Sequence, residues 1–362
     1  MGNNKVKVSV VIPTYNIETY IGEMLECVAR QTYSNMEVIV VNDGSTDGTL
    51  AEIEKRESLF KDIRIISIPN GGVSNARNIG IDVLRGDKIF FWDGDDTMEP
   101  DTIEKCVNFS IVNNVNAVLY GYANRINGKR EKPHLHEIKS IYKGPEIREQ
   151  LIPHFLGHSF EDVNNWIIGK KGMRQGKELT ALWRIMVDTE TIQMIGLRFD
   201  TNLSLGEDTK FINEYLLHED SVGFLDECLY YLTKRETGAN LTSINNAEKR
   251  LEDKTKLIDA RLEIDEEAKK LYNINTHLYW EGTLVFSAVE LAMRMSQNKL
   301  KSVNENYKLY KRFLCNEQVS KAIKEFSPAY GLKSIPFWML KTGLGLVLFR
   351  LFGLLPTNKK FR

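Results

Sequence analysis

The chain has 362 residues, 42% of them hydrophobic and 27% charged, so it reads as a soluble globular protein long enough for two domains, or for one large domain with an appendage. Its net charge of −1 divides unevenly: from residue 301 on, twelve Lys/Arg stand against three Glu, net +9, which leaves −10 on residues 1–300. The four cysteines, Cys27, Cys106, Cys228 and Cys315, form no CxxC pair. That indicates neither a zinc site nor a disulfide framework and fits a reducing compartment.

The N-terminal MGNNKVKVSVVIP lacks a long apolar core and a small-residue cleavage site, so no signal peptide is read there. Its Met-Gly start resembles a myristoylation signal, but strand-like residues follow too soon to support one. VKVSVVI (6–12) alternates and then turns continuously apolar, as a strand entering a covered sheet does, with Pro13 ending it. YIGEMLECVARQ (20–31) puts Ile21, Met24, Leu25 and Val28 on one helical face. MEVIVVN (36–42) is a second strand, and DGSTDGT (43–49) is turn chemistry with Thr46 or Asp47 placed to cap a helix starting near Thr49. IRIISI (63–68) is a third strand, NGGVSNARNIGIDVL (70–84) a glycine turn followed by a helix, and DKIFFW (87–92) a fourth strand. Strands alternating with helices predict an α/β fold, with parallel pairing and helices on both faces.

In such sheets ligands bind beyond the carboxyl ends of the strands. The residues found there are Pro13-Thr14-Tyr15-Asn16, Asp43-Gly44-Ser45, Asn70-Gly71-Gly72 and Asp93-Gly94-Asp95-Asp96. Singly each is weak, since a lone DGS is most often a turn and a lone DxD is common. The signal is their shared address at four successive strand ends. Tyr15 offers an aromatic face, Asp43 an acceptor for a ring N–H, Asn70 and Arg77 donors, and Gly71-Gly72 close backbone approach. Together these suit a nucleobase and its diphosphate. No GxxxxGK[ST] loop is present, which excludes a P-loop, and no GxGxxG follows the first strand, which disfavours a dinucleotide fold. Acids as close as Asp93, Asp95 and Asp96 repel one another unless a cation or donor intervenes. A hard divalent ion, Mg2+ or Mn2+, would accept their oxygens and bridge to the diphosphate.

VVIPTYN, VVNDGSTDGT, NGGVSNARNIGID and FFWDGDD, in that order, resemble the successive motifs of the family 2 glycosyltransferases, closely over residues 5–100 and more loosely to 240. The resemblance implies the GT-A fold, a Rossmann-like, mostly parallel sheet flanked by helices, with a UDP-sugar as donor. It implies Pro13, Tyr15 and Asp43 near the uracil and Arg77 near the base or diphosphate. Asp93 falls in the ribose or metal region and Asp95 on the metal; Asp96 orders the turn or touches the donor sugar. In LSLGEDTKF (203–211), Glu207 and Asp208 follow a glycine at a helix start, where acids suit the helix dipole. The resemblance implies instead a catalytic pair with Asp208 as general base. A sugar hydroxyl is a poor nucleophile, and a placed base contributes roughly 10²–10⁴-fold. A base on one side and a metal stabilising the diphosphate on the other fit a single inverting displacement.

Trp183-Arg184 resembles a family element beside the acceptor site, although core packing explains Trp183 equally. Lys234, Arg235 and Gly238 in YYLTKRETGAN (230–240) resemble a basic loop closing over the diphosphate, or Arg235 lies on the surface. His134, His136, His154 and His158 have no helix-face spacing opposite an acid and read as no zinc site. Residues 245–326 read as helical. IPFWMLKTGLGLVLFRLFGLLP (335–356) carries only Lys341 and Arg350 as charges and has the length to cross a bilayer, but those charges and its interior glycines argue against a span. Lys321, Lys324 and Lys333 before it, and Lys359, Lys360 and Arg362 after it, suit attachment to an anionic leaflet, with a buried helix or a span as alternatives.

The expected organisation is a GT-A domain over 1–240 (nucleotide-sugar and metal half 1–100, acceptor half 101–240), a helical region over 241–334, and a membrane-associating tail over 335–362. The expected function is an inverting, metal-dependent transfer of one sugar from a UDP-sugar to a glycan or lipid-linked glycan in bacterial capsule, exopolysaccharide or cell-wall assembly. It would occur in the cytoplasm, peripherally on the inner face of the membrane, with no nucleic acid as partner. A non-catalytic nucleotide-sugar-binding scaffold is the alternative, but it should have lost one of Asp43, Asp93, Asp95 or Asp208. A nucleotidyltransferase is disfavoured because PTYNIETY is no glycine-rich basic loop, and a processive synthase because QxxRW and several long apolar segments are absent. The sugar, the acceptor hydroxyl and the oligomeric state stay open.

Overall fold

A computed structural model describes residues 6–126, 128–173, 177–233, 247–298 and 301–355. The chain divides into two compact units, Met1–Ile152 with Leu179–Glu236, and Pro153–Glu178 with Thr237–Arg362. Residues 153–178 thus cluster with the helices after residue 236 rather than with the sheet.

The first unit opens as the alternation predicts. β1 (Val8–Thr14), β2 (Met36–Asp43), β3 (Ile63–Ile68) and β4 (Lys88–Phe91) alternate with α1 (Ile21–Ala29), α2 (Thr49–Glu54) and α3 (Val73–Val83). β5 (Thr97–Met98), α4 (Thr102–Asn113), β6 (Ala117–Ile126), β7 (Lys129–Arg130), β8 (Ile141–Lys143), β9 (Ile185–Asp188) and β10 (Ser221–Thr233) follow. The sheet runs β3-β2-β1-β4-β9-β6-β10-β5, with β7 on β6 and β8 on β10. β3, β2, β1 and β4 are mutually parallel, and so are β6 and β10; β9, β5, β7 and β8 pair antiparallel, which makes the sheet mixed.

Pro13 does not end β1, contrary to the expectation from the sequence. The strand runs on through Pro13, opposite Val41, to Thr14. Pairing with β4 has already stopped at Val11–Phe91, so proline removes no ladder bond on that side.

Alternation along the strands explains the two covered faces. Val10, Ile12, Val38, Phe90 and Trp92 share one buried cluster with Met24 and Leu25 of α1 and Ile103 and Val107 of α4. Phe91 points the other way, edge-on to Phe199 and Phe211 at 5.2 and 5.7 Å. β4 is therefore buried on both sides up to the residue before its acids.

The second unit is helical, with helices at Phe160–Ile167, Ala247–Tyr272, Glu281–Ser296, Val303–Leu314 and Glu317–Glu325. Trp280 is fully buried and donates to the Asp265 carboxylate. The apolar stretch after residue 334 is not one helix. It forms Ile335–Lys341 and Gly345–Gly353, separated at Gly343 with φ +80°. No described helix is long and apolar enough to cross a membrane.

Candidate active site

The parallel strands bring the predicted clusters to one rim. At the end of β2 the buried Asp43 carboxylate accepts from the Gly71 and Gly72 amides at 2.7 and 2.8 Å and from Asn70 Nδ2 at 3.3 Å. Asn70 also donates to the Asp43 carbonyl at 3.0 Å. Asp43, expected as an acceptor for a base, thus builds the glycine loop with both its oxygens. Gly44 sits at φ +70°, where a Cβ would meet the Asn70 nitrogen at 2.7 Å, so these two loops pack without room for a side chain. Asn16, after β1, accepts from the Thr46 amide at 2.8 Å and donates its own to Ser45 Oγ at 3.1 Å. Pro13 is half-buried beside it, and Tyr15 is 45% exposed.

Beyond β4 the chain turns sharply: Asp96 donates its amide to the Asp93 carbonyl at 3.3 Å. Gly94 packs on Ile17 and Thr14, and a Cβ there would meet Ile17 Cδ1 at 2.6 Å. Asp93 and Asp95 are half-buried. Asp96 is buried and accepts from the Thr233 amide at 2.7 Å and the Tyr230 hydroxyl at 3.0 Å. Burial, then the charges of Asp95 and Asp93, push its pKa well above the usual range.

Sequence reasoning missed Tyr230. Its hydroxyl accepts from the Asp93 amide at 3.2 Å while donating to Asp96, so one buried oxygen ties both ends of the acidic turn. Its ring stacks on Trp183, centroids 4.8 Å apart and planes within 11°. Trp183 is 6% exposed and belongs to the core. Arg184 is buried too, donating to the Tyr120 carbonyl at 3.3 Å. In the sequence Tyr230 reads only as an apolar strand residue, and nothing there marks its hydroxyl.

Arg77, from α3, joins the two halves of the predicted site. Its Nη1 donates to Asp208 Oδ1 at 2.8 Å and lies 3.4 Å from Glu207 Oε1; its Nη2 is 3.2 Å from Asp93 Oδ1. Burial opposes the guanidinium charge, but Asp208, Asp93 and Glu207 outweigh it and hold its pKa above the ordinary value. Glu207 and Asp208 open the helix Glu207–His218, so the plain reading as a helix start and the site reading hold together. The other Asp208 oxygen accepts from the Leu182 amide at 3.4 Å. A fifth of the Asp208 side chain reaches solvent, 21%. Its carboxyl group is nonetheless pushed up to about 7, by burial first, against the pull of Arg77, with Glu207 and Asp93 adding repulsion. Arg235, Lys234 and Gly238 lie outside the described residues.

Residues 9–169 match the model described as glycosyl transferase family 2. Over those residues the chain is similar to the family 2 glycosyltransferases. Every predicted donor-side residue from Pro13 to Asp96 lies within the matched residues, while Glu207 and Asp208 lie beyond them. The chain is 33% identical over 242 residues to a Bacillus subtilis (strain 168) protein named as the uncharacterized glycosyltransferase EpsJ, covering 66% of this chain and 63% of that one. It is 35% identical over 154 residues to the chondroitin synthase of Pasteurella multocida (strain Pm70), 42% of this chain and 15% of that one. The chain thus spans less than two thirds of either curated relative. Residues 1–349 of S. aureus TarS, crystallised with UDP-GlcNAc, superpose with a TM-score of 0.63 at 20% identity, covering 96% of this chain and 90% of that one. That likeness shows the fold, which is the GT-A fold.

The donor set of this domain fits a hard divalent cation. Asp93 and Asp95 supply carboxylate oxygens from one turn, and their charges add to the burial that pushes Asp96 up. Among the described residues no group of three or more His, Cys, Asp or Glu side chains forms a ready metal cage. A Mg2+ or Mn2+ site takes one or two carboxylates and completes its shell with substrate phosphates and water.

Proposed function

We propose that the protein transfers one sugar from a UDP-sugar to a hydroxyl of a glycan or lipid-linked glycan, inverting the anomeric carbon. The observation that carries this reading is Arg77, which pairs at once with Asp93 after β4 and with Asp208 at the start of its helix. A candidate donor acid and the candidate base therefore border one site. The name of EpsJ supports sugar transfer, that of the chondroitin synthase supports polysaccharide assembly, and the UDP-GlcNAc complex of TarS supports the donor class.

In this reading the Tyr15 ring stacks on the uracil, with Pro13 and Asp43 beside it. The loop that Asp43 holds presents Asn70 and backbone at Gly71 and Gly72 to the diphosphate. Arg235 is the sequence candidate for a cation closing over it. Asp93 and Asp95 would hold Mg2+ or Mn2+, which when bound neutralises charge on the departing diphosphate. The acceptor oxygen bonds to C1 of the sugar as the bond from C1 to the phosphate oxygen breaks. The hydroxyl proton passes to Asp208, and the electron pair of the broken bond leaves with UDP. A carboxyl group titrating at about 7 is partly ionised at neutral pH and is a stronger base than an ordinary aspartate. Glu207 shares Arg77 with it and raises its basicity through charge. The reaction would take place on the cytoplasmic face of the membrane, with the protein attached peripherally.

The test is UDP release from a panel of UDP-sugars, with and without Mn2+ and with a glycan acceptor. Acceptor- and metal-dependent release from one donor is expected. UDP binding without release from any donor would favour the non-catalytic scaffold.

A further inference from the structure

We propose that the outward face of the helices Ile335–Lys341 and Gly345–Gly353 docks in the headgroup layer of an anionic lipid bilayer. The proposal rests on these helices alone and not on the reading of the transfer site. Among the described residues, ten of the 24 exposed large hydrophobic side chains lie between Tyr330 and Leu355. The two helices sort their residues by face. Phe337, Phe349 and Phe352 are buried, whereas Ile335, Trp338, Val347, Leu351 and Leu354 point outward with 38–83% exposure. Spacings of three and four residues put 335 with 338, and 347 with 351 and 354, on single helical faces. An apolar surface this concentrated marks a contact site.

Charge identifies the occupant. No Asp or Glu follows Glu325, while Lys333, Lys341, Arg350, Lys359, Lys360 and Arg362 do, the last three beyond the described residues. A second copy would bring a segment of the same positive sign against this one. An anionic leaflet complements them, each Lys/Arg near such a surface adding to the attraction. The helices have seven and nine residues and break at Gly343, against the roughly 20 residues a span requires. They can lie in the interface, where a tryptophan such as Trp338 has both an apolar and a hydrated side to meet.

The experiment is flotation of the full chain with phosphatidylcholine vesicles, with and without phosphatidylglycerol, for the parent and for Val347→Glu/Leu351→Glu. The parent should float with the anionic vesicles, and the double variant roughly tenfold more weakly or not at all, with an unchanged melting temperature and unchanged UDP release on a soluble acceptor. If the double variant does not fold, Arg350→Glu, at an exposed position, should still weaken flotation severalfold. A parent that ignores anionic vesicles, or variants that float as well as the parent, would overturn the proposal. So would a parent dimer in the absence of lipid that the double variant abolishes, because the face would then belong to a second copy.

Discussion

Arg77 and Asp208, 131 residues apart in sequence, meet at 2.8 Å between Nη1 and Oδ1. The same guanidinium reaches Asp93 at 3.2 Å. One buried cation thereby fixes the relative position of the acid after β4 and the acid at the helix start, and it restrains the pKa of the second.

Asp208→Asn should lower transfer by roughly 10²–10⁴-fold while leaving UDP binding intact, checked by UDP release against calorimetric titration with UDP. The same variant should not melt lower than the parent at pH 8. The folded pKa of about 7 lies above the 3.9 or so of an unfolded aspartate. Its contribution to folding is therefore complete at low pH and lost as pH rises through 7. Parent-rate transfer by Asp208→Asn would remove the base assignment.

The pH profile of kcat/KM should show an acid limb near 7, inactive below, where Asp208 is protonated, and active above. Arg77 lowers that pKa, while Glu207 and Asp93 raise it. Arg77→Gln should therefore move the limb to higher pH and cost the fold about 3–5 kcal/mol, because three buried or half-buried carboxylates lose their counter-charge. A limb that moves to lower pH would contradict the electrostatic role given to Arg77.

Tyr230→Phe should raise the donor KM more than it changes kcat, and destabilise by about 1–3 kcal/mol, because the Asp93 amide loses an acceptor and Asp96 a donor. Steady-state kinetics at varied Mn2+ with thermal melting would separate this from simple loss of packing. Loss of stability with unchanged donor KM would make Tyr230 a core residue only.

Asp43→Ala strips the acceptor from the Gly71 and Gly72 amides. A drop in UDP affinity of roughly tenfold is expected by titration, with about 1–3 kcal/mol lost from the fold. Unchanged UDP affinity would separate the glycine loop from the donor site.

The first four strands and the helices between them were legible because their apolar periods are regular and glycine-rich turns separate them. The convergence of Asp43, Asn70 and Asp93 on one rim followed from parallel strands alone. Pro13 misled because a missing N–H matters only where a neighbouring strand needs it, and β4 has already ended there. Tyr230 was invisible because its ring reads as core and only tertiary contact shows its hydroxyl between Asp93 and Asp96. The partners of Arg77 were equally hidden: a helix position says which face a guanidinium leaves from, but not that acids from residues 93, 207 and 208 await it. In the tail, composition indicated an apolar, basic segment, and only the turn at Gly343 decided that it forms two short helices.

The most direct measurement is an anomalous-scattering map of a crystal grown with UDP and Mn2+. A manganese peak on Asp95 and Asp93 is expected, with the diphosphate against it, the uracil on Tyr15, and Asp208 facing the same cavity. A nucleotide bound away from this rim, or a metal with no ligand from Asp93 or Asp95, would contradict a shared site for donor and base.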